Sequence, residues 1–127
     1  MSTKPVRVLL VDDNPEFLAF AAQYLAGVAG LVVAATAASG EEALEAVGRV
    51  APDLVLVDLA MPGMNGLEVA RRLKGQSSPP RVVILTMYDN PEYVEAAGRI
   101  GADGFVTKAE LDVRLPELIS FLFTEKK

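Results

Sequence analysis

A doubly wound α/β fold on a parallel sheet is predicted for this chain, and three observations predict it. Strand-like and helix-like patterns alternate about five times in 127 residues. The strand candidates are continuous apolar runs, such as VRVLLV at 6–11 and RVVIL at 81–85, as in parallel strands covered on both faces. The helix candidates open on polar caps followed by proline or glutamate.

Each element has its own signal. After the first strand at 6–11, Asn14-Pro15 gives a cap with proline at the first helical position, and the helix extends over 15–27. Phe17, Leu18, Ala21, Ala22 and Leu25 share one of its faces. A second strand covers 31–36. Ser39 and Glu42 have capping-box spacing for the next helix, which Pro52 stops. The third strand spans 53–58, and Met61-Pro62-Gly63-Met64 forms a loop. Asn65 with Glu68 caps a helix to Leu73. A surface connection at 76–80 leads to the fourth strand at 81–86. Asn90-Pro91 opens a fourth helix reaching about residue 100, weakened by Gly98. The fifth strand covers 102–107. A last amphipathic helix carries Leu111, Leu115, Leu118, Ile119 and Leu122, with Pro116 in or before its first turn. The last few residues are expected to fray. For five such strands the expected order is 2-1-3-4-5, the flavodoxin-like arrangement, with ligands beyond the carboxyl ends of strands one and three. A single domain over 1–127 accommodates all of this.

Composition narrows the function. A net charge of −5, a pI near 4.7 and no basic stripe argue against direct nucleic-acid binding. There is no cysteine for a disulfide or thiolate site, and no histidine for zinc binding or general base catalysis. No run is long enough for a membrane span and no signal-peptide pattern is present, so a soluble cytoplasmic protein is expected.

Every strand but the second runs into a residue able to handle a phosphoryl group: Asp12-Asp13, Asp58, Thr86 and Lys108. A lone aspartate at a strand end is more often a turn or cap residue. Three acids at two adjacent strands repel one another and call for a cation. Mg²⁺, a hard ion seeking six oxygens, fits them. Asp13 and Asp58 are candidate direct ligands, Asp12 would hold a coordinated water, and the Ala60 backbone carbonyl would add an oxygen. Asp58 is the candidate nucleophile for an acyl phosphate, needing no general base because a carboxylate is already deprotonated. A phosphohistidine donor would come from another protein. Lys108 could reach Asp58 and then a phosphoryl oxygen, and the Thr86 hydroxyl could donate to one.

The stretches LLVDDNP, SGEEAL, DLVLVDLAMPGMNGLEVARRL, VVILTMYDN and GADGFVTK together resemble the receiver domains of two-component response regulators, over roughly residues 5–123. The resemblance implies that Asp58 is phosphorylated by a sensor histidine kinase or histidine phosphotransfer protein with Mg²⁺, held by Asp12 and Asp13. It implies that Thr86 and Lys108 contact the phosphoryl group. It also implies that Phe105 is the aromatic switch, which alters the face made by the fourth helix, fifth strand and fifth helix. Partners so implied include a homodimer on phosphorylation and a DNA-binding output domain outside this chain. The GADGFVTK ending leans toward regulators with a LuxR-like helix-turn-helix.

Departures from the family pattern are visible. Ala109 replaces the usual proline after Lys108, so a trans bond and a different adjoining loop are expected. Met87 replaces a small residue after Thr86 and would restrict access. Ala60 and Tyr88 occupy positions that tune phosphate lifetime. The stretch 110–116 looks longer than usual before the last helix, which bears on dimerisation through that face. Other readings are a phosphatase or phosphotransferase of the haloacid-dehalogenase-like kind, an FMN binder and a phosphorylation-independent binding module. The first needs Asp-x-Asp on strand one, the second a Ser/Thr/Gly-rich loop there, and the third is opposed by the presence of all the key residue types. A switch rather than an enzyme is therefore expected.

Overall fold

In the computed structural model, which describes residues 4–87 and 90–123, the strands are β1 (Val6–Val11), β2 (Leu31–Ala37), β3 (Leu54–Asp58), β4 (Arg81–Thr86) and β5 (Gly104–Thr107). The helices are α1 (Pro15–Ala26), α2 (Gly40–Val50), α3 (Gly66–Lys74), α4 (Pro91–Arg99) and α5 (Leu111–Leu122). All pairings are parallel and the order is β2-β1-β3-β4-β5, as the alternation required. Tyr88 and the terminal residues expected to fray lie outside the described residues.

The apolar runs split by parity, because successive side chains on a strand point to opposite faces. Val8, Leu10, Leu54, Leu56, Val83, Leu85 and Val106 face Ala21 and Leu25 of α1 and Leu111 and Leu115 of α5. Leu9, Val11, Val55, Val57, Val82 and Ile84 face α2, α3 and α4 through Ala43, Val47, Val69, Leu73 and Ala97. Each fully buried leucine or valine contributes about 1.5–3 kcal/mol relative to exposure, so the inner strands β1, β3 and β4 are fixed most firmly. Their carboxyl ends are the ends that carry the acids and Thr86.

The caps form largely as expected. Asn14 Oδ1 accepts from the N–H groups of Glu16 and Phe17, Asn65 Oδ1 from Glu68 and Asn90 Oδ1 from Glu92. Ser39 Oγ accepts from the Glu42 N–H, but the Glu42 carboxylate returns to Ala38 rather than to Ser39. Glu68 does not close a box on Asn65. Its carboxylate pairs with Arg71 and Arg72 instead.

Four expectations are corrected. Strand β3 begins at Leu54, because Asp53 lies before it with its carboxylate on the Arg7 N–H. Strand β5 begins only at Gly104. Here Asp103 continues the β4–β5 pairing by other means: its N–H donates to Val82 O at 2.7 Å and its carboxylate accepts from the Val82 N–H at 2.8 Å. The same carboxylate binds Lys74 Nζ at 2.8 Å and Arg81 at 3.2 Å. Pro116 lies inside α5, beyond its first turn. Proline has no N–H for the carbonyl four residues back, and the Tyr24 hydroxyl of α1 donates to that orphan, Asp112 O, at 3.2 Å. Finally, 110–116 is not an extended connection, because a 3₁₀ turn over Lys108–Glu110 leads directly into α5.

Asp103 supplies a stability prediction. Burial works against its charge, but Lys74, the Val82 N–H and Arg81 outweigh that and hold its carboxyl below the ordinary value of 3.8. A depressed folded pKa gives stability that is present above the unfolded value and lost as pH falls through the folded one. Asp103→Ala, which strips acceptors from half-buried donors, should lower urea-unfolding stability by about 2–4 kcal/mol at pH 7. The gap from wild type should narrow below about pH 4. A gap unchanged between pH 7 and pH 3 would contradict this account.

Candidate functional site

The parallel sheet brings the chemistry to one edge. Asp12 directly follows β1, and its N–H still pairs with Ala37 O of β2 at 3.0 Å, so it cannot drift from the sheet. Asp58 closes β3, Thr86 closes β4 and Lys108 follows β5. Asp12, Asp58 and Thr86 are the buried polar residues of the described chain, whereas Asp13 is exposed. All five line one cavity of about 830 Å³ with Asn14, Leu59, Ala60, Met61, Asn65, Met87, Asn90 and Tyr93.

Oxygens of Asp12, Asp13 and Asp58 all lie within 4.8 Å of one another. Lys108 Nζ stands 2.6 Å from Asp12 Oδ2 and 3.2 Å from Asp58 Oδ1. Asp12 Oδ1 accepts from the Asn14 N–H at 2.9 Å. Asp12 Oδ2 is buried yet accepts no hydrogen bond of good geometry, despite the nearby ammonium. Lys108 is a single positive charge against Asp12, Asp58 and Asp13, so a further cation here would relieve the remaining negative charge. The donor set is all oxygen, which suits a hard divalent ion and not a thiophilic one. Asp12, Asp13 and Asp58 would hold such an ion through their carboxylate oxygens.

The electrostatics follow from this crowding. Burial first, then the Asp12 charge, raises Asp58 from 3.8 to about 6, with a lesser push from Asp13 and partial relief from Lys108. Burial disfavours the Lys108 charge, but Asp12 and Asp58 outweigh it and hold the ammonium above its ordinary value of 10.5.

The remaining sequence candidates fall as follows. Ala60 sits on the cavity wall just past β3, and exposed Met87 sits on it just past β4. Phe105 pairs in register with Ile84, two positions before the Thr86–Thr107 pair, so it lies in a strand near Thr86 as read. Its half-buried ring packs on the α2–α4 side of the core and does not line the cavity. Among the described residues no peptide bond is cis, as Ala109 implied, and Thr107 Oγ1 bonds the Glu110 carboxylate across the turn after Lys108.

One site-shaping residue escaped the sequence reading. A Cβ on Gly66 would stand 2.4 Å from the Asp58 backbone oxygen, so only glycine lets α3 start against the strand that carries the buried acid. The signal was the Asn-Gly pair at 65–66, legible as a cap but not as a close approach.

A family model described as the response regulator receiver domain matches residues 8–120. The chain is 36% identical over 105 residues to the nitrate/nitrite response regulator protein NarL of Escherichia coli (strain K12), covering 83% of this chain and 49% of that protein. It is 39% identical over 105 residues to protein-glutamate methylesterase/protein-glutamine glutaminase 5 of Myxococcus xanthus (strain DK1622), covering 82% and 30%. Among solved structures, a LuxR-family two-component response regulator from Aurantimonas sp. SI85-9A1 matches with a TM-score of 0.87 and 30% identity, over 94% of this chain and 85% of that one. The chain thus spans half or less of the length of these two curated relatives.

The raised Asp58 pKa gives a signed test. A folded pKa above the unfolded one means that the folded protein holds the proton more tightly, so stability falls as pH rises from about 4 through 6. Asp58→Asn removes that liability. In EDTA the variant should be more stable than wild type by about 2 kcal/mol at pH 7.5, and by much less at pH 4, in urea unfolding. Equal stability at pH 7.5 would show that the carboxylates do not strain the fold.

Proposed function

From the premise that this chain belongs to the response regulator receiver family, we propose that it is a switch driven by phosphorylation of Asp58 in a two-component pathway. The observation that carries the assignment of roles is the meeting of Asp12, Asp13, Asp58 and Lys108 from three separate strand ends in one cavity. Asp12, Asp13, Asp58 and the Ala60 carbonyl would hold Mg²⁺. Bound there, the ion supplies charge neutralisation for the crowded acids and for the oxygens of a phosphoryl group.

The rest of the chemistry belongs to side chains of this chain. A carboxylate oxygen of Asp58 attacks the phosphorus of a phosphohistidine on a sensor kinase or phosphotransfer protein. The new P–O bond forms as the P–N bond breaks, and the electron pair leaves with the imidazole, which takes up a proton from water. Lys108 pairs with one phosphoryl oxygen and the Thr86 hydroxyl donates to another. Movement of Thr86 then admits the Phe105 ring and alters the face of α4, β5 and α5. The phosphate rests on the protein, so this domain acts as a switch and not as a turnover enzyme. The comparisons lend no support to the dehalogenase-like, FMN-binding or binding-module readings.

A single domain over 1–127 is part of this reading, and the match over 8–120 supports it. No described helix is long and apolar enough to cross a membrane; a cytoplasmic role is part of the proposal and rests on the family. The chain covers about half of the NarL relative's length, which supports an output region attached outside this chain; DNA binding by that region and dimerisation on phosphorylation are part of the same proposal. The methylesterase relative shows the other route, in which a matching segment accompanies an enzyme.

Acetyl phosphate with Mg²⁺ should add one phosphate by intact mass, EDTA should prevent it, and peptide mapping should place it on Asp58. Labelling of Asp58→Asn at the wild-type level would refute the assignment. Lys108→Ala should still bind Mg²⁺ but lose the conformational response to phosphate. An NMR response identical to wild type would remove Lys108 from the relay.

A further inference from the structure

Lys108 meets a third group besides the two carboxylates: its Nζ stands 4.4 Å from the centroid of the Phe17 ring. Phe17 lies in the first turn of α1, and its N–H donates to Asn14 Oδ1 at 3.2 Å. The root of the ring is therefore fixed by the loop that carries Asp12 and Asp13. The ring packs against the α1–α5 side of the core. The exposed Phe20 ring braces it, at 6.2 Å between centroids and a tilt of 46°. The Phe17 ring does not line the cavity and reaches the site through Lys108.

A lysine ammonium is a strongly hydrated point charge on a flexible stem, and nothing in the stem itself fixes where the charge sits. The face of an aromatic ring attracts such a charge, more strongly when water is kept away. Here the Lys108 side chain is only 12% exposed. Asp12 and Asp58 pull the ammonium from one side and the ring holds it from the other. A cation entering the acidic cluster competes for the same carboxylate oxygens, but a phenyl ring is no ligand for a hard cation and keeps its hold. Resting on the phosphoacceptor reading of Asp58, we propose that Phe17 is a positioning residue for phosphoryl transfer. Its ring face keeps the Lys108 ammonium at the β5–α1 edge, within reach of the arriving phosphoryl oxygen, when the carboxylates are otherwise engaged.

The test separates ring electrostatics from ring shape. Mono-, di- and trifluorinated phenylalanines at position 17 of the full chain weaken the ring face at nearly constant shape. Labelling by acetyl phosphate and Mg²⁺ is followed by intact mass, since the chain has no tryptophan to report by fluorescence. The rate should fall stepwise, by about 3- to 10-fold at the trifluoro ring, with the thermal midpoint unchanged. Phe17→Leu should lose at least as much and Phe17→Tyr should keep most of the rate. In ¹³C-lysine-labelled wild-type protein the Lys108 ε-protons should be shifted upfield by the ring, and Phe17→Leu should abolish the shift. A rate indifferent to fluorination, a loss that tracks the thermal midpoint, or an absent ring shift overturns the proposal. Wild-type protein that takes up no phosphate overturns the phosphoacceptor reading and this role with it. A labelled wild type with a flat fluorine series overturns the positioning role alone.

Discussion

Two buried carboxylates and one buried ammonium share the carboxyl edge of the sheet, and the rest of the site is arranged around that unequal balance. Asp12 and Asp58 are almost fully buried, Asp13 adds a third negative charge, and Lys108 is the base that pairs with Asp12 and Asp58 among the described residues. One positive charge against three leaves net negative charge, and the repulsion between the buried Asp12 and Asp58 is the least screened part of it. The protein tolerates this because β1 and β3 are adjacent inner strands whose apolar residues next to the site, Val8 to Val11 and Leu54 to Val57, are buried on both faces. Packing energy of the sheet holds the acids together against their mutual repulsion. A site strained in this way gains from a cation, and the further negative charge of a phosphoryl group on Asp58 would make that gain larger.

The scaffold supports that edge with polar devices elsewhere. Asp103 ties α3, β4 and the start of β5 together at the opposite edge through Lys74, Arg81 and Val82. Tyr24 satisfies the carbonyl that Pro116 orphans, which joins α1 to α5. Gly66 lets α3 begin directly against the Asp58 backbone. Each device fixes an element that delivers or flanks a site residue. The α1–α5 seam also carries Phe17, whose ring meets Lys108. Position in the cavity is thus set by contacts well outside it.

Much of this was legible in the sequence because its signals are local. Continuous apolar runs marked buried parallel strands, Asn-Pro and Ser-x-x-Glu marked helix starts, and each strand's last residue could be read for its chemistry. The misreadings share a different cause. Asp103 looked like part of a strand because its side chain stands in for ladder bonding through residues far away in sequence. Pro116 looked like a helix start because its missing hydrogen bond is compensated by Tyr24, 92 positions earlier by the numbering. Glu42 and Glu68 had the spacing of capping boxes, but the nearby Ala38 N–H and the Arg71–Arg72 pair offered other partners.

By itself, then, the sequence determined the element order, the parallel sheet and the kinds of group at each strand end, since periodicity, capping and residue identity act over a few positions. Tertiary structure alone decided that Lys108 leans on Asp12 more closely than on Asp58, that Asp12 Oδ2 lacks a well-formed hydrogen bond and that Phe17 offers its ring to the ammonium. Those are sub-ångström to few-ångström relations between elements. They are fixed by how helices seat on the sheet, and no one-dimensional pattern carries that information.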